Sequence, residues 1–352
     1  MELILKHISK IYIFSLYIKT GGPRSLHQLG SILKNNGYDV YMLYQDNINA
    51  TVPLFSEYNI PIANKVDDSI DNILILPEVL IGEAKNYKNI KIVIWWLSLY
   101  YFKRMDLKWH ADILLKKSGL PHIALPLVYL GLLLQNSMLL NANKTYFELE
   151  SSLRNYFHLY NCEYEKEYLL SIGIKEERMR YLCGPLSNEY IKINRDYCIK
   201  RKRNIVAINP SKVNKYILRK FIKSFSNEVE IVLIKNMSPE QVKKTLLEAK
   251  VYVDLGYFPG PERIPREAVI LYCNILTSKI GAAKNKIDVP IFDQYKTIIK
   301  ATNIKKISMK AEEMIKKYDK QIDDFDQYRE KVLNQINRFE NDVISVFSYR
   351  ED

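Results

Sequence analysis

Short, continuous apolar runs constrain the fold of this chain more than any other feature of its sequence. Residues 72–76 read NILIL, residues 91–96 read KIVIWW and residues 204–208 read NIVAI, with few polar side chains inside any of the runs. Strands buried on both faces have this pattern, and such strands belong to parallel sheets covered by helices. The strand–turn–helix units around these runs therefore predict an α/β fold with doubly wound, Rossmann-like domains.

The first half of the chain carries one such domain, which we place at residues 1–190. Its predicted strands lie at 10–17, 39–44, 72–76, 91–96 and 178–182. A turn at 19–23 leads into a helix at 25–35, and Gly37 ends that helix as a left-handed residue. The polar and basic stretch at 190–203 marks the end of the domain.

The second half repeats the pattern, and we place a second Rossmann-like domain at 191–305. Its predicted strands lie at 204–208, 228–234, 251–254 and 274–277, and its predicted helices at 216–224, 240–249 and 266–272. Ser238-Pro239 starts the second of these helices and Pro265 opens the third. Apolar residues at helical spacing over 308–347 predict a C-terminal amphipathic helix or helix pair, in a segment at 306–352.

Charge and cysteine content narrow the function classes. Lysine and arginine number 52 against 40 acidic residues, a net charge of +12, which attracts nucleic acid, anionic lipid or phosphorylated small molecules. The surplus is spread along the chain, which weakens the nucleic-acid interpretation. Four cysteines without a C-x-x-C pair indicate a reducing, cytoplasmic compartment. The apolar stretch 120–140 contains two prolines and predicts a buried or interfacial helix rather than a membrane span.

Several catalytic motifs are absent from the sequence. It contains no G-x-x-x-x-G-K-[ST] loop, no G-x-G-x-x-G after the first strand, no H-E-x-x-H and no G-x-S-x-G. Asp324-Phe325-Asp326 lies in the predicted terminal helix, and we interpret it as a solvated helix face rather than a metal motif. These absences argue against P-loop, dinucleotide, zinc and serine-nucleophile chemistry, so we expect neither a metal nor a cofactor.

The segment 249–288 carries the most information about function. A strand is followed by a Gly/Pro loop with Glu262 and Arg263, and then by a helix that opens near Arg266 and Glu267. A helix N-terminus and two guanidinium groups suit phosphate, and a carboxylate can accept hydrogen bonds from sugar hydroxyls. The alternative is a capping cluster with Arg–Glu pairs on the surface. We predict a site for a polyol phosphate here, with catalytic roles for Glu262, Arg263 and Arg266 and hydroxyl binding by Glu267.

This segment resembles the GT-B glycosyltransferases that use nucleotide sugars, in particular the retaining group with a Glu-x7-Glu motif. The resemblance rests on residues 240–254, the Gly/Pro loop and Arg266-Glu267-Ala268. It implies that Glu267 is the second Glu of the motif and holds donor hydroxyls. The first Glu would fall at Pro259 and is not matched. The resemblance also implies two domains that face a cleft, with the donor bound by the second.

Strand ends supply the other candidate residues, because ligands of open α/β sheets bind there. In the second domain these are Lys212, Lys235, Asn236, Gly260 and Ile264, assigned to the donor. In the first domain, residues 20–30 resemble the Gly-rich loop and first helix of such enzymes. The candidates for acceptor or phosphate contact there are Gly21, Gly22, His27, Glu78 and Trp96. Each assignment has a structural alternative: a plain turn for Gly21 and Gly22, a surface position for His27, ordinary loop polarity for Lys212, Lys235 and Asn236, and core packing for Trp96.

The resemblance thus implies a glycosyltransferase that is hexosyltransferase-like and retaining. Its expected partners are a nucleotide-sugar donor and a glycan or lipid-linked glycan acceptor in cell-surface polysaccharide or lipopolysaccharide synthesis, without nucleic acid. We expect a cytoplasmic protein, with peripheral contact at the anionic inner face of the membrane as an open possibility. Two alternatives stay open: a non-catalytic basic protein that binds a ligand or nucleic acid, and a nucleotide-sugar epimerase on the same fold, for which Glu78 and Glu262 would be the acid/base candidates.

Overall fold

A computed structural model describes residues 3, 5, 6, 8–45, 50–135, 138–190 and 192–348. Tertiary contacts divide the chain into two compact units that are both discontinuous in sequence. Unit 1 consists of Met1–Met105, Ala142–Pro185 and Asn337–Asp352. Unit 2 consists of Asp106–Asn141 and Leu186–Ile336. The predicted domain limits at 190 and 305 stay a prediction.

Eleven strands and thirteen α-helices are assigned within the described residues. The strands are β1 (Lys10–Ser15), β2 (Asp39–Tyr44), β3 (Ile73–Pro77), β4 (Lys91–Trp96), β5 (Phe157–Tyr160), β6 (Met179–Tyr181), β7 (Arg203–Ile208), β8 (Glu230–Leu233), β9 (Ala249–Asp254), β10 (Asn274–Ser278) and β11 (Lys296–Thr297). The helices are α1 (Gly21–Asn35), α2 (Leu99–Lys103), α3 (Leu107–Ser118), α4 (Leu125–Gln135), α5 (Met138–Ser152), α6 (Glu163–Ser171), α7 (Arg195–Ile199), α8 (Lys215–Ile222), α9 (Pro239–Glu248), α10 (Arg263–Ile270), α11 (Ile304–Lys316), α12 (Tyr318–Gln321) and α13 (Asp326–Val346).

Unit 1 contains a six-stranded parallel sheet in the order β2-β1-β3-β4-β5-β6. Every residue of β3 is buried, as its continuous apolar sequence predicts for a central strand. The chain runs from β1 to β2 on one side and later to β3 on the other. The strand order therefore reverses between β1 and β3, which opens a crevice at the carboxyl ends of these two strands.

Unit 2 contains a five-stranded parallel sheet in the order β11-β10-β9-β7-β8. Its strand order reverses between β7 and β9, so its crevice lies at the carboxyl ends of these strands. Asp106–Asn141, which include α3 and α4, belong to this unit although the sequence places them among the strands of unit 1. Gly119, in a left-handed conformation after α3, lies against the backbone of Lys300 and Ala301 in the same unit.

The predicted fold class is confirmed, since both halves form parallel α/β sheets and a C-terminal helix is present. The strands at 39–44 and 91–96 coincide with β2 and β4. Two strands, β5 and β11, had no counterpart among the predicted ones. The terminal helical segment is divided into three: Lys317 departs from helical geometry between α11 and α12, and a short 3-10 turn at Ile322–Phe325 separates α12 from α13.

Two predicted helix starts are wrong. The residues predicted as a turn at 19–23 include the first turn of α1, which begins at Gly21 with Thr20 as its N-cap residue. α10 begins at Arg263 rather than at Pro265, so the proline is its third residue. Proline is tolerated there because the first backbone N–H groups of a helix have no partner within the helix.

Candidate functional site

The sheet crevice of unit 2 holds a cluster of charged side chains. Lys212 lies in the turn after β7, Asp254 is the last residue of β9, and Glu262 is the residue before α10. All three therefore come from the carboxyl ends of the strands between which the strand order reverses. This position is where open α/β sheets bind their ligands.

Lys212 joins the two carboxylates. Its Nζ lies 2.5 Å from Oε2 of Glu262 and 3.5 Å from Oδ2 of Asp254, and it also lies over the ring of Phe258. Asp254 is fully buried and accepts hydrogen bonds from the Tyr252 hydroxyl and from the backbone N–H of Gly256. Because these groups are shielded from water, the charge on each one strongly affects the protonation of the others.

The pKa values of the cluster follow from burial and charge. Burial raises the pKa of the Glu262 carboxyl, and the nearby Lys212 ammonium offsets only part of this effect. Burial lowers the pKa of Lys212, but the charges of Asp254 and Glu262 outweigh it, so the net pKa lies above its ordinary value. Lys212 therefore stays charged at neutral pH, while Glu262 takes up a proton more readily than an exposed glutamate.

Glycine at position 256 lets the backbone pass close to Lys212. A Cβ atom there would lie 2.1 Å from Cβ of Lys212, which no side chain can adopt without a shift of the backbone. The loop is further tied to the loop after β10, since Phe258 donates its N–H to Ile280 and accepts one from Ala282. The Gly/Pro loop is thus held firmly against the neighbouring strand end.

Helix α3 adds a second lysine to this region. Burial lowers the pKa of Lys117, the charge of Lys212 lowers it further, and Asp254 and Glu262 partly offset both effects. The same helix contributes Trp109, whose ring meets Tyr257 edge-on at a centroid distance of 5.5 Å. Residues 106–141 therefore contribute charge and aromatic surface to the crevice of unit 2.

The first turn of α10 forms a second ion pair. Arg263 donates from Nε to Oε1 of Glu267, and the Glu267 side chain is almost completely buried. Tyr190 interacts with both groups, and burial together with the Glu267 charge raises the pKa of its hydroxyl. Glu267 thus has a guanidinium partner within the protein, so a donor hydroxyl would have to share this carboxylate with Arg263.

The remaining predicted residues of unit 2 occupy different environments. Arg266 is buried, and its Nη1 lies 3.4 Å from Oε1 of Gln335 in α13. Lys235 and Asn236 are exposed after β8, and Asn236 is left-handed. Gly260 is buried in the Gly/Pro loop and Ile264 is half-buried in the first turn of α10.

Three predicted residues of unit 1 meet at its sheet crevice. Gly21 and Gly22 start α1 just after β1, and a Cβ on Gly22 would touch the Leu97 side chain at 3.5 Å. Glu78 follows β3, is buried, and accepts the backbone N–H of Leu97 at 3.0 Å. Burial raises the pKa of Glu78 to about 7, although backbone hydrogen bonds from Leu97 and Ser98 oppose the rise.

The structure places His27 and Trp96 in the core, where an acceptor does not reach them. His27 is fully buried, and its ring nitrogens contact the Pro23 carbonyl at 2.7 Å and the Tyr44 hydroxyl at 2.8 Å. Trp96 is fully buried and donates from Nε1 to Nδ1 of His158. Both side chains complete buried hydrogen bonds, so we assign them to packing rather than to the crevice.

Three residues of the unit 2 site were not predicted from the sequence: Asp254, Lys117 and Tyr190. The signal for Asp254 was available, because it is the single acidic residue that ends the apolar run VYVD. Lys117 and Tyr190 had no such signal, since tertiary packing alone brings them to the site. Among the described ranges, no group of three or more His, Cys, Asp or Glu side chains is arranged to hold a metal ion.

Comparison with solved structures shows that the chain has the GT-B fold of glycosyltransferases. HepE from Anabaena, solved in complex with UDP-glucose, matches with a TM-score of 0.61 over 96% of this chain and 97% of its own, at 11% identity. WaaG, a glycosyltransferase involved in lipopolysaccharide biosynthesis, matches with a TM-score of 0.57 over 96% and 99%, at 10% identity. Sucrose-phosphate synthase from Thermosynechococcus elongatus matches with a TM-score of 0.56 over 97% and 95%, at 9% identity.

No family model and no curated protein matches the chain by sequence. At these low identities, the likeness to the solved structures shows the fold and does not carry the reaction or the substrate.

Proposed function

We propose that the protein is a glycosyltransferase that binds a nucleotide-sugar donor at the sheet crevice of unit 2. The observation that carries the proposal is the cluster of Lys212, Asp254 and Glu262 at the strand reversal, beside the start of α10. The GT-B fold supports it, since HepE with this fold was solved with UDP-glucose. The acceptor we propose is a glycan of a cell-surface polysaccharide or lipopolysaccharide, made at the cytoplasmic face of the membrane.

The diphosphate of the donor would compete with Glu262 for the ammonium group of Lys212. Lys212 is its nearest cationic partner there, and the N–H groups that open α10 add a positive potential. When a phosphate oxygen takes Lys212, Glu262 loses its ammonium partner, and its already raised pKa rises further. Donor binding is therefore coupled to proton uptake by Glu262, and the affinity should increase as the pH falls.

The proposed transfer retains the anomeric configuration and uses no nucleophile from the protein. The bond between the sugar and the diphosphate breaks, the sugar passes through a short-lived oxocarbenium-like state, and the acceptor oxygen bonds to the same face while its proton passes to the leaving diphosphate. Catalysis then consists of stabilising the negative charge that develops on the leaving diphosphate, by Lys212, Arg263 and the start of α10. This scheme requires neither a metal nor a cofactor.

Thermal unfolding in the presence of UDP-, GDP-, CMP- and dTDP-sugars tests the proposal. A ligand at 100 times its dissociation constant stabilises the folded state by about 2.7 kcal/mol. We expect one nucleotide class to give this shift, Lys212→Met to abolish it, and Lys215→Met, a change at an exposed lysine three residues away, to keep it. No shift with any nucleotide sugar would contradict the proposal, and a shift with nucleic acid alone would favour the non-catalytic alternative.

A further inference from the structure

Helix α4 of unit 2 exposes an unusual apolar surface. Ile123, Leu127 and Leu134 are 88%, 73% and 79% exposed, and Leu120 and Leu130 are about half exposed. The spacing of three or four residues places Ile123, Leu127, Leu130 and Leu134 on one face of the helix and of the turn before it, and Leu120 lies just before that turn. Leu132, on the other side, is buried where α4 packs on α3. We name the five exposed residues the α4 stripe: Leu120, Ile123, Leu127, Leu130 and Leu134.

The sequence around the α4 stripe is free of charge over a long distance. Residues 118–143 contain no Asp, Glu, Lys or Arg, and the stretch is bracketed by Lys116-Lys117 on one side and Lys144 on the other. Residues 136 and 137 of this stretch lie outside the described part of the chain. Isolated exposed apolar side chains are ordinary, but a contiguous stripe marks a surface that another phase or molecule covers.

We propose that α4 lies in the interfacial layer of a bilayer that contains anionic lipid, with the α4 stripe inserted among the acyl chains. A helix of 11 residues is about 16 Å long, and the hydrocarbon core of a bilayer is about 30 Å thick, so α4 lies on the membrane rather than across it. In agreement, no helix among the described residues has the length and apolar character of a membrane span.

Charge explains why the occupant is an anionic membrane. The chain has a net charge of +12, and the exposed Lys116, just before the uncharged stretch, suits the headgroup level beside an inserted apolar segment. A second copy of the chain fits the stripe less well. A stable protein interface buries about 800 Å² on each partner with complementary shape, whereas five side chains in one row form a narrow ridge. A bilayer accepts such a ridge without needing a matching shape.

Vesicle flotation tests the proposal, using the full chain and vesicles of phosphatidylglycerol and phosphatidylcholine in equal parts, or of phosphatidylcholine alone. We expect binding to the mixed vesicles, and weaker binding to the neutral ones. Leu127→Asp should lower the partition coefficient by roughly tenfold or more, because it places a charge in the inserted face. The matched control is Ile287→Asp, which changes a residue of unit 2 that is 63% exposed and lies outside the α4 stripe.

Three results would overturn the proposal. The first is that the wild-type chain binds neither kind of vesicle. The second is that Ile287→Asp reduces binding as much as Leu127→Asp. The third is that light scattering shows a dimer that Leu127→Asp converts into a monomer, because a second copy then covers the stripe. Membrane binding by the α4 stripe does not rest on the proposed sugar transfer. The thermal response to nucleotide sugars is measured without vesicles, so either experiment can fail while the other succeeds.

Discussion

Replacement of Lys212 by methionine is the most informative perturbation of the unit 2 site. Methionine keeps an apolar stem of similar length and removes only the ammonium group that Asp254 and Glu262 share. Removal of one partner from a buried ion pair costs about 3–5 kcal/mol, because the other charge is left without compensation. Glu262 is partly accessible to water and can take up a proton, so we expect the low end of this range, about 3 kcal/mol at neutral pH.

The loss should depend on pH with a defined sign. The pKa of folded Glu262 is already above its ordinary value, so its contribution to stability is present at low pH and is lost as the pH rises. Without Lys212 this pKa rises further, and the difference in unfolding free energy between wild type and variant therefore grows with pH. For a unit of this length, 3 kcal/mol corresponds to a fall in Tm of about 6–12 °C.

Differential scanning calorimetry between pH 5 and pH 8 measures both effects. Lys215→Met is the matched control, and we expect it to change the unfolding free energy by less than about 0.5 kcal/mol. The double variant Lys212→Met with Glu262→Gln should recover part of the loss, because it removes one of the carboxylates left without a partner. A fall in Tm no larger than that of the control, or a loss that does not grow with pH, would refute the cluster as described.

Three further predictions concern single elements. Glu78→Gln should flatten the pH dependence of the unfolding free energy. The wild-type carboxyl, with its pKa raised to about 7, stabilises the folded state at acid pH, and this contribution is lost as the pH rises through 7. Calorimetry measures the effect, with Glu57→Gln at an exposed position as the control. Gly256→Ala should destabilise unit 2 by about 1–3 kcal/mol in denaturant unfolding, since its Cβ has no room beside Lys212, whereas Gly82→Ala meets no atom within 4 Å and should change little. Ser238→Ala should cost about 1 kcal/mol by the same measurement, because the side chain closes a capping box at the start of α9.

The sheets were predictable because their signal is local. In runs such as KIVIWW and NIVAI, the continuous apolar composition by itself predicts a buried strand. Strand β4 lies at the predicted residues. β5 was missed because its four residues, FHLY, are too few to show a period and include the buried His158. The start of α1 was misplaced because its glycines and proline predict a turn, although these residues are also tolerated in the first turn of a helix. The start of α10 was misplaced because Pro265 predicts the opening residue of a helix, whereas it is the third.

The candidate site was predictable only in part, for a different reason. Glu262 and Arg263 stand out because they follow a strand in a Gly/Pro loop, and both lie at the unit 2 crevice. The pairing of Arg263 with Glu267 and the turning of Arg266 toward Gln335 depend on side-chain packing, which residue types alone do not encode. The contact of Trp109 with Tyr257 joins segments far apart in the chain, so no local pattern could reveal it.

The interleaving of the two units has a consequence for the order in which the chain acquires structure during synthesis. Phe339, Val343 and Phe347 pack into the same core as Ile11 and Ile13 of β1, and the Tyr38 hydroxyl donates to the Phe347 carbonyl. The ribosome therefore completes the sheet of unit 1 long before it supplies the side chains that cover one of its faces. From the completion of β6 until residue 347 emerges, the part of that face which Phe339, Val343 and Phe347 cover is open to water, so the nascent chain exposes apolar surface through the second half of its translation.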